Sequence, residues 1–238
     1  MNREKFCPSC GQKANVEALN FHVLFHDLVH YFTHAEKNIF SLVAKLTTNP
    51  GLVAREYLAG KRKKYFSPVN FFLIVAGLLV IIVSTLHSFD GAFVTRRSVV
   101  QTSSPLLHVL SSKINWIFFM LVPLFALVYS LFFFRRRYNY VEHLAISLYW
   151  QGYLLLIVAF ILAPISYTME PVNGVSFMLW TFVILQCVYY AMAYYQLFEH
   201  KNFLYFLFYL LLAFICVVII FCAILLLIRI FNMIEHVR

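Results

Sequence analysis

The length of the apolar runs constrains this sequence more than any other feature. A bilayer core takes about 20 predominantly apolar residues per helical span. Only helices and closed barrels satisfy their own backbone there. Five stretches have helical-span length: 68–86, 114–134, 143–167, 175–198 and 203–228. The last of them contains no charged residue. The expected fold is therefore all-α, a polytopic helical membrane protein with about five transmembrane helices. Composition points the same way, with 62% apolar and 12% charged residues, where soluble domains run near 45–50% and about 25%.

Residues 1–67 are polar, basic and amphipathic, which divides the chain into a small cytoplasmic head (1–67) and a transmembrane bundle (68–238). Ten Lys/Arg precede the first span, Arg135, Arg136 and Arg137 follow the second, and Lys201 separates the fourth from the fifth. The other side holds Arg96, Arg97, Lys113, Arg229 and Arg238. This asymmetry, 14 against 5, places the N-terminus in the cytoplasm by the positive-inside rule. Five spans then leave the C-terminus outside. The Tyr-rich run of the fourth segment is the place where a shallow helix would change that parity. Charges throughout the first 64 residues argue against a cleaved signal peptide.

Trp116, Tyr149, Trp150 and Trp180 are expected near the headgroups, where amphipathic rings collect. Pro123 and Pro164 are expected to kink their spans. Cys187, Cys216 and Cys222 read as small apolar core residues.

Within the head, Ile39, Leu42, Val43 and Leu46 have the spacing of one apolar helical stripe. Asn49-Pro50-Gly51 breaks the chain, and a short helix through Glu56-Tyr57-Leu58 stops at Gly60. Lys61, Arg62, Lys63 and Lys64 then form a basic collar against the first span. Such a cluster anchors topology and attracts anionic lipid headgroups, by about 1 kcal/mol per basic residue. Its position at the membrane argues against nucleic acid as a partner, despite the net charge of +9.

Cys7-Pro-Ser-Cys10-Gly has the form of a metal knuckle, in which a tight turn presents two thiolates to one ion. Tetrahedral zinc needs four ligands. His22 and His26 complete a two-Cys, two-His set, or two protomers each donate a Cys pair in a homodimer, or the knuckle binds nothing. His22, His26, His30 and His34 recur every four residues, so neighbours share a helical face. That pattern suits a metal pair or the polar edge of an amphipathic helix.

Phe6-Cys-Pro-Ser-Cys-Gly-Gln-Lys13, Asn49-Pro-Gly51, Arg55-Glu-Tyr-Leu-Ala-Gly-Lys-Arg-Lys-Lys-Tyr-Phe-Ser-Pro68 and Tyr138-Asn-Tyr-Val-Glu-His143 follow in this order. Together they resemble a bacterial family of multi-span inner-membrane proteins classed as a domain of unknown function. Its members commonly carry two CxxC knuckles in a zinc ribbon, where this chain has one. The resemblance implies the bacterial inner membrane and names no activity.

Intramembrane ionisable groups are functional-site candidates. Only Glu142 and His143, at the cytoplasmic mouth of the third span, meet that description. Adjacent on a helix, their side chains diverge by about 100° and suit pairing with Arg135–Arg137 or the head. The sequence contains no Ser/His/Asp arrangement, HExxH motif or phosphate loop. The favoured function is a non-enzymatic interaction, assembly or sensing module with a zinc-binding head and a membrane-protein partner. The alternative is a small transporter or lipid-handling protein with a cavity lined by Tyr149, Gln151, Gln186 and Tyr190.

Overall fold

The computed structural model describes Phe21 and residues 39–88, 122–133, 138–169 and 171–237. Among these residues there is no strand. Two short helices come first, α1 (Ile39–Thr48) and α2 (Pro50–Leu58), and a 3-10 turn (Arg62–Lys64) follows. Next are α3 (Pro68–Ser88) and α4 (Val122–Phe132). The third span consists of α5 (Tyr140–Ile157), a π-turn (Val158–Leu162) and α6 (Ala163–Tyr167), with α7 (Pro171–Leu197) and α8 (Phe203–Val237) after it.

Among the described residues four helices are long and apolar enough to cross a membrane: Pro68–Thr85, Tyr140–Tyr167, Ser176–Leu197 and Phe203–Cys222. The fifth expected span is described only over Val122–Phe132, a shorter apolar helix. Helix α8 runs on past residue 228 to Val237, and at about 1.5 Å per residue its 35 residues cover about 52 Å.

Local chemistry accounts for the breaks between helices. Proline at the first position of α2 suits that helix, because an N–H there has no intrahelical partner. Gly60 supplies the positive φ, 93°, that ends the α2 turn. At the start of α5, Asn139 Oδ1 accepts from Glu142 N at 2.9 Å, and Glu142 Oε2 accepts from Asn139 N at 2.7 Å. That reciprocal pair is a capping box. Pro164 has no N–H for the carbonyl of Phe160, and the turn leading into it widens to π.

α3 runs beside α5 in the same direction, with Gly152 against the ring of Phe71. α7 returns antiparallel and pairs with α8 as a hairpin. The segments 39–67, 138–143 and 194–205 therefore meet at one end of the bundle. Contacts of Tyr138 with Phe198 and of Arg55 with Glu199 join them there.

Helices α1 and α2 lie in the same core as the spans. Leu42, Leu46, Val53, Ala54 and Tyr57 are buried with Tyr149, Trp150, Tyr189 and Leu197. Tyr149 and Trp150 are fully buried because the 39–67 segment covers them, whereas Trp180 is 70% exposed. The Tyr-rich run belongs to one continuous helix, from which Tyr189, Tyr190 and Tyr194 face inward. Cys187 and Cys216 are buried, but Cys222 is exposed and outside the core.

Candidate functional site: the polar end of the bundle

A helix break inside a core leaves backbone groups without partners, and each one buried unpaired costs about 1–3 kcal/mol. At Asn49-Pro50-Gly51 the spans provide those partners through their side chains. Tyr189 donates to the carbonyl of Leu46 at 2.9 Å. Trp150 Nε1 donates to that of Pro50 at 3.4 Å. Gln196 accepts from Gly51 N at 3.2 Å through Oε1 and donates to the Thr48 carbonyl at 3.3 Å through Nε2. Farther along, Tyr149 donates to the carbonyl of Phe66. Two helices far away in sequence therefore fix the path of the N-terminal segment.

Gly51 is at the closest approach. A Cβ there would stand 2.5 Å from Gln196 Cβ and 2.6 Å from the Ala193 carbonyl, and closer still to Leu197 N. Helix α2 rests on the backbone of α7 through this residue. On the outer side, Arg55 forms an ion pair with Glu199.

The basic collar has an internal anion. Glu56 receives Lys61 Nζ at 2.9 Å, Lys64 Nζ at 2.5 Å and the Tyr65 hydroxyl at 2.5 Å. The Lys64 and Tyr65 hydrogen bonds are the main cause of its lowered carboxyl pKa, about 2 against an ordinary 4.5, and Lys61 adds to the effect. Burial first, and then the Glu56 carboxylate, pushes the Tyr65 hydroxyl well above its usual range. Lys45, from α1, stands 5.4 Å from the Tyr65 ring centroid, as Lys64 does, within the range of a cation–π contact. Lys61 and Lys64 stay about half exposed, with 53% and 47% of their side chains open. The side chain of Lys63 is outside the described residues.

Glu142 and His143 are brought to different tasks. Glu142 closes the capping box of α5. His143 is fully buried, and its Nδ1 lies 3.1 Å from the Tyr194 hydroxyl. Tyr194 belongs to an aromatic group with Tyr129, 4.5 Å away between ring centroids, and Trp150, 4.9 Å away edge-on. Of the residues expected to line a cavity, Gln151, Gln186 and Tyr190 are buried in the interior, and Tyr149 turns to Phe66 instead.

Cys7, Cys10, His22 and His26 lie outside the described residues, as do Arg135, Arg136 and Arg137. Among the described residues no three His, Cys, Asp or Glu side chains come together to hold a metal.

Sequence reasoning missed Tyr189, Gln196, Ser147 and Tyr194. A usable signal was present, namely polar residues seven apart on α7 (189 and 196) and four apart on α5 (143, 147 and 151). At those spacings the side chains share a helical face.

Residues 36–80 match a family described as Protein of unknown function (DUF3667). The matched stretch contains α1, the Asn-Pro-Gly break, α2, the Glu56 cluster and the first two-thirds of α3. No curated protein and no solved structure matches the chain.

Proposed function

We propose that this chain is a non-enzymatic interaction, assembly or sensing module of the bacterial inner membrane, with its N-terminus in the cytoplasm. One observation carries this reading: side chains of α5 and α7 satisfy the broken backbone at residues 46–51. A segment held so firmly is a platform for presenting the residues before it, and the CxxC knuckle lies there. Zinc held by Cys7 and Cys10, with His22 and His26 or with a second copy's cysteines, would give that region a fixed fold. The half-exposed Lys61 and Lys64, with Lys45 beside them, suit anionic headgroups at the surface where α3 begins. A membrane-protein partner is the expected target, and nucleic acid is not.

A second reading, a small transporter or lipid-handling protein, has a specific observation in its favour: Gln151, Gln186 and Tyr190 are buried with unmet polar atoms.

Reporter fusions after residues 90, 138, 171 and 238 test the threading. The expected result is a cytoplasmic signal at 138 alone. A cytoplasmic signal at 238 contradicts it. Metal analysis of the purified wild type beside Cys7→Ser and His22→Ala tests the head, and wild-type protein without bound zinc contradicts the metal-holding platform.

A further inference from the structure

α5 and α7 run antiparallel, and their polar residues fall in matched pairs. His143 stands level with Tyr194 and Ser147 with Tyr190, and the same step, four residues up one helix and four down the other, runs on to Gln151 and Gln186. The first pair is hydrogen-bonded at 3.1 Å. In the second, two hydroxyls adjoin without a well-aligned bond. None of the six residues is more than 3% exposed. Four residues per step drift only about 40° around a helix, so both rows remain on the facing sides.

These rows have unmet needs. His143 Nε2, both amide atoms of Gln151 and Gln186 Nε2 have no hydrogen-bond partner among the described residues. Unpaired buried groups cost about 1–3 kcal/mol each. Four such costs come to about 4–12 kcal/mol, comparable with the whole stability of a typical domain, about 5–15 kcal/mol. That disfavours a dry seam, and whatever fills it must both donate and accept.

Chemistry narrows the occupant further. Among the described residues the seam contains no Asp, Glu, Lys or Arg, which disfavours an ion. Trp150 lies edge-on against Tyr190 and Tyr194, and Tyr129 stacks on both, so the walls are aromatic and close. Buried water typically takes about three hydrogen bonds from such groups. We propose that the seam between α5 and α7 is an internal water site, in which bound water meets the unpaired atoms of Gln151, Gln186 and His143. This inference is independent of whether any solute is moved.

Radiolytic hydroxyl labelling of the full-length protein in lipid nanodiscs tests the site, because radicals born from bound water oxidise only adjacent side chains. Tyr149 is the internal control: it is equally buried and its hydroxyl is bonded to Phe66. The expected result is Tyr190 labelled at least five-fold faster than Tyr149, with the excess lost in Gln151→Leu/Gln186→Leu. Equal, slow labelling of the two tyrosines in wild type overturns the site whether or not the double variant folds. So does an excess that persists unchanged in a folded double variant. Thermal melts separate the dry alternatives. A direct Gln151–Gln186 bond gives single variants that melt lower and a double variant that recovers, and unpaired amides give Gln151→Leu a higher melt. Either pattern, with no Tyr190 excess, counts against water.

Discussion

The side-chain amide of Gln196 grips the chain on both sides of a helix break: it accepts from Gly51 N at 3.2 Å and donates to Thr48 O at 3.3 Å. These contacts join points 145 and 148 residues apart in sequence. They make the end of α7 the floor on which the N-terminal segment stands.

That floor leaves no room at Gly51. Gly51→Ala places a methyl group against backbone atoms of Ala193 and Leu197, which cannot rotate away. The expected cost is about 1–3 kcal/mol, as for overpacking elsewhere. A thermal melt of the purified variant reads it as a clear fall in midpoint. Gly77→Ala is the control, since a Cβ there meets nothing within 4 Å.

Trp150 both fills the core beneath α2 and donates to the Pro50 carbonyl. Trp150→Ala removes both roles, at about 3–5 kcal/mol. Trp150→Phe retains much of the packing and loses the donor, at about 1–3 kcal/mol. Limited proteolysis should show α1 and α2 cleaved readily in the alanine variant and more slowly in the phenylalanine variant. Equal protection of both variants would show that α2 does not depend on this side chain.

Glu56 sets a pH dependence at the collar. Its folded carboxyl titrates at about 2 against an ordinary 4.5. A depressed carboxyl stabilises the folded state above its unfolded pKa and loses that contribution as pH falls through the folded one. Stability should therefore fall as pH drops from 4.5 toward 2, and this part of the loss should vanish in Glu56→Gln. Lys61 and Lys64 are half open to solvent, so screening holds the effect to about 1 kcal/mol. Melts of wild type and variant across that window check the sign, and added salt should shrink the difference.

Span length was legible in the sequence because about 20 apolar residues in a row have few other uses. The helix break at Asn49-Pro50-Gly51 and the stop at Gly60 were legible too, since proline and glycine act locally. What Tyr149 and Trp150 face could not be read. An aromatic side chain with a polar tip suits a headgroup boundary and a buried backbone carbonyl equally well. Only the packing of residues 39–67 over α5 decides between them. The partners of Glu56 were hidden for a related reason. Lys61 and Lys64 read as a solvated charge run until a tight turn folds them back onto a carboxylate a few residues upstream. The polar rows of α5 and α7 were visible as four-residue spacings. Their pairing needed the antiparallel register, which depends on contacts 43 and 51 residues apart.

The platform reading depends on the N-terminal segment being fixed to the end of α7. The Arg55–Glu199 ion pair offers the most direct test. Arg55→Cys and Glu199→Cys, introduced together with a protease site within residues 95–110, can be joined in membranes by a short thiol cross-linker. The expected result is that the cleaved fragments stay together only when both new cysteines are present. Fragments that separate despite complete labelling of both cysteines would contradict the docking.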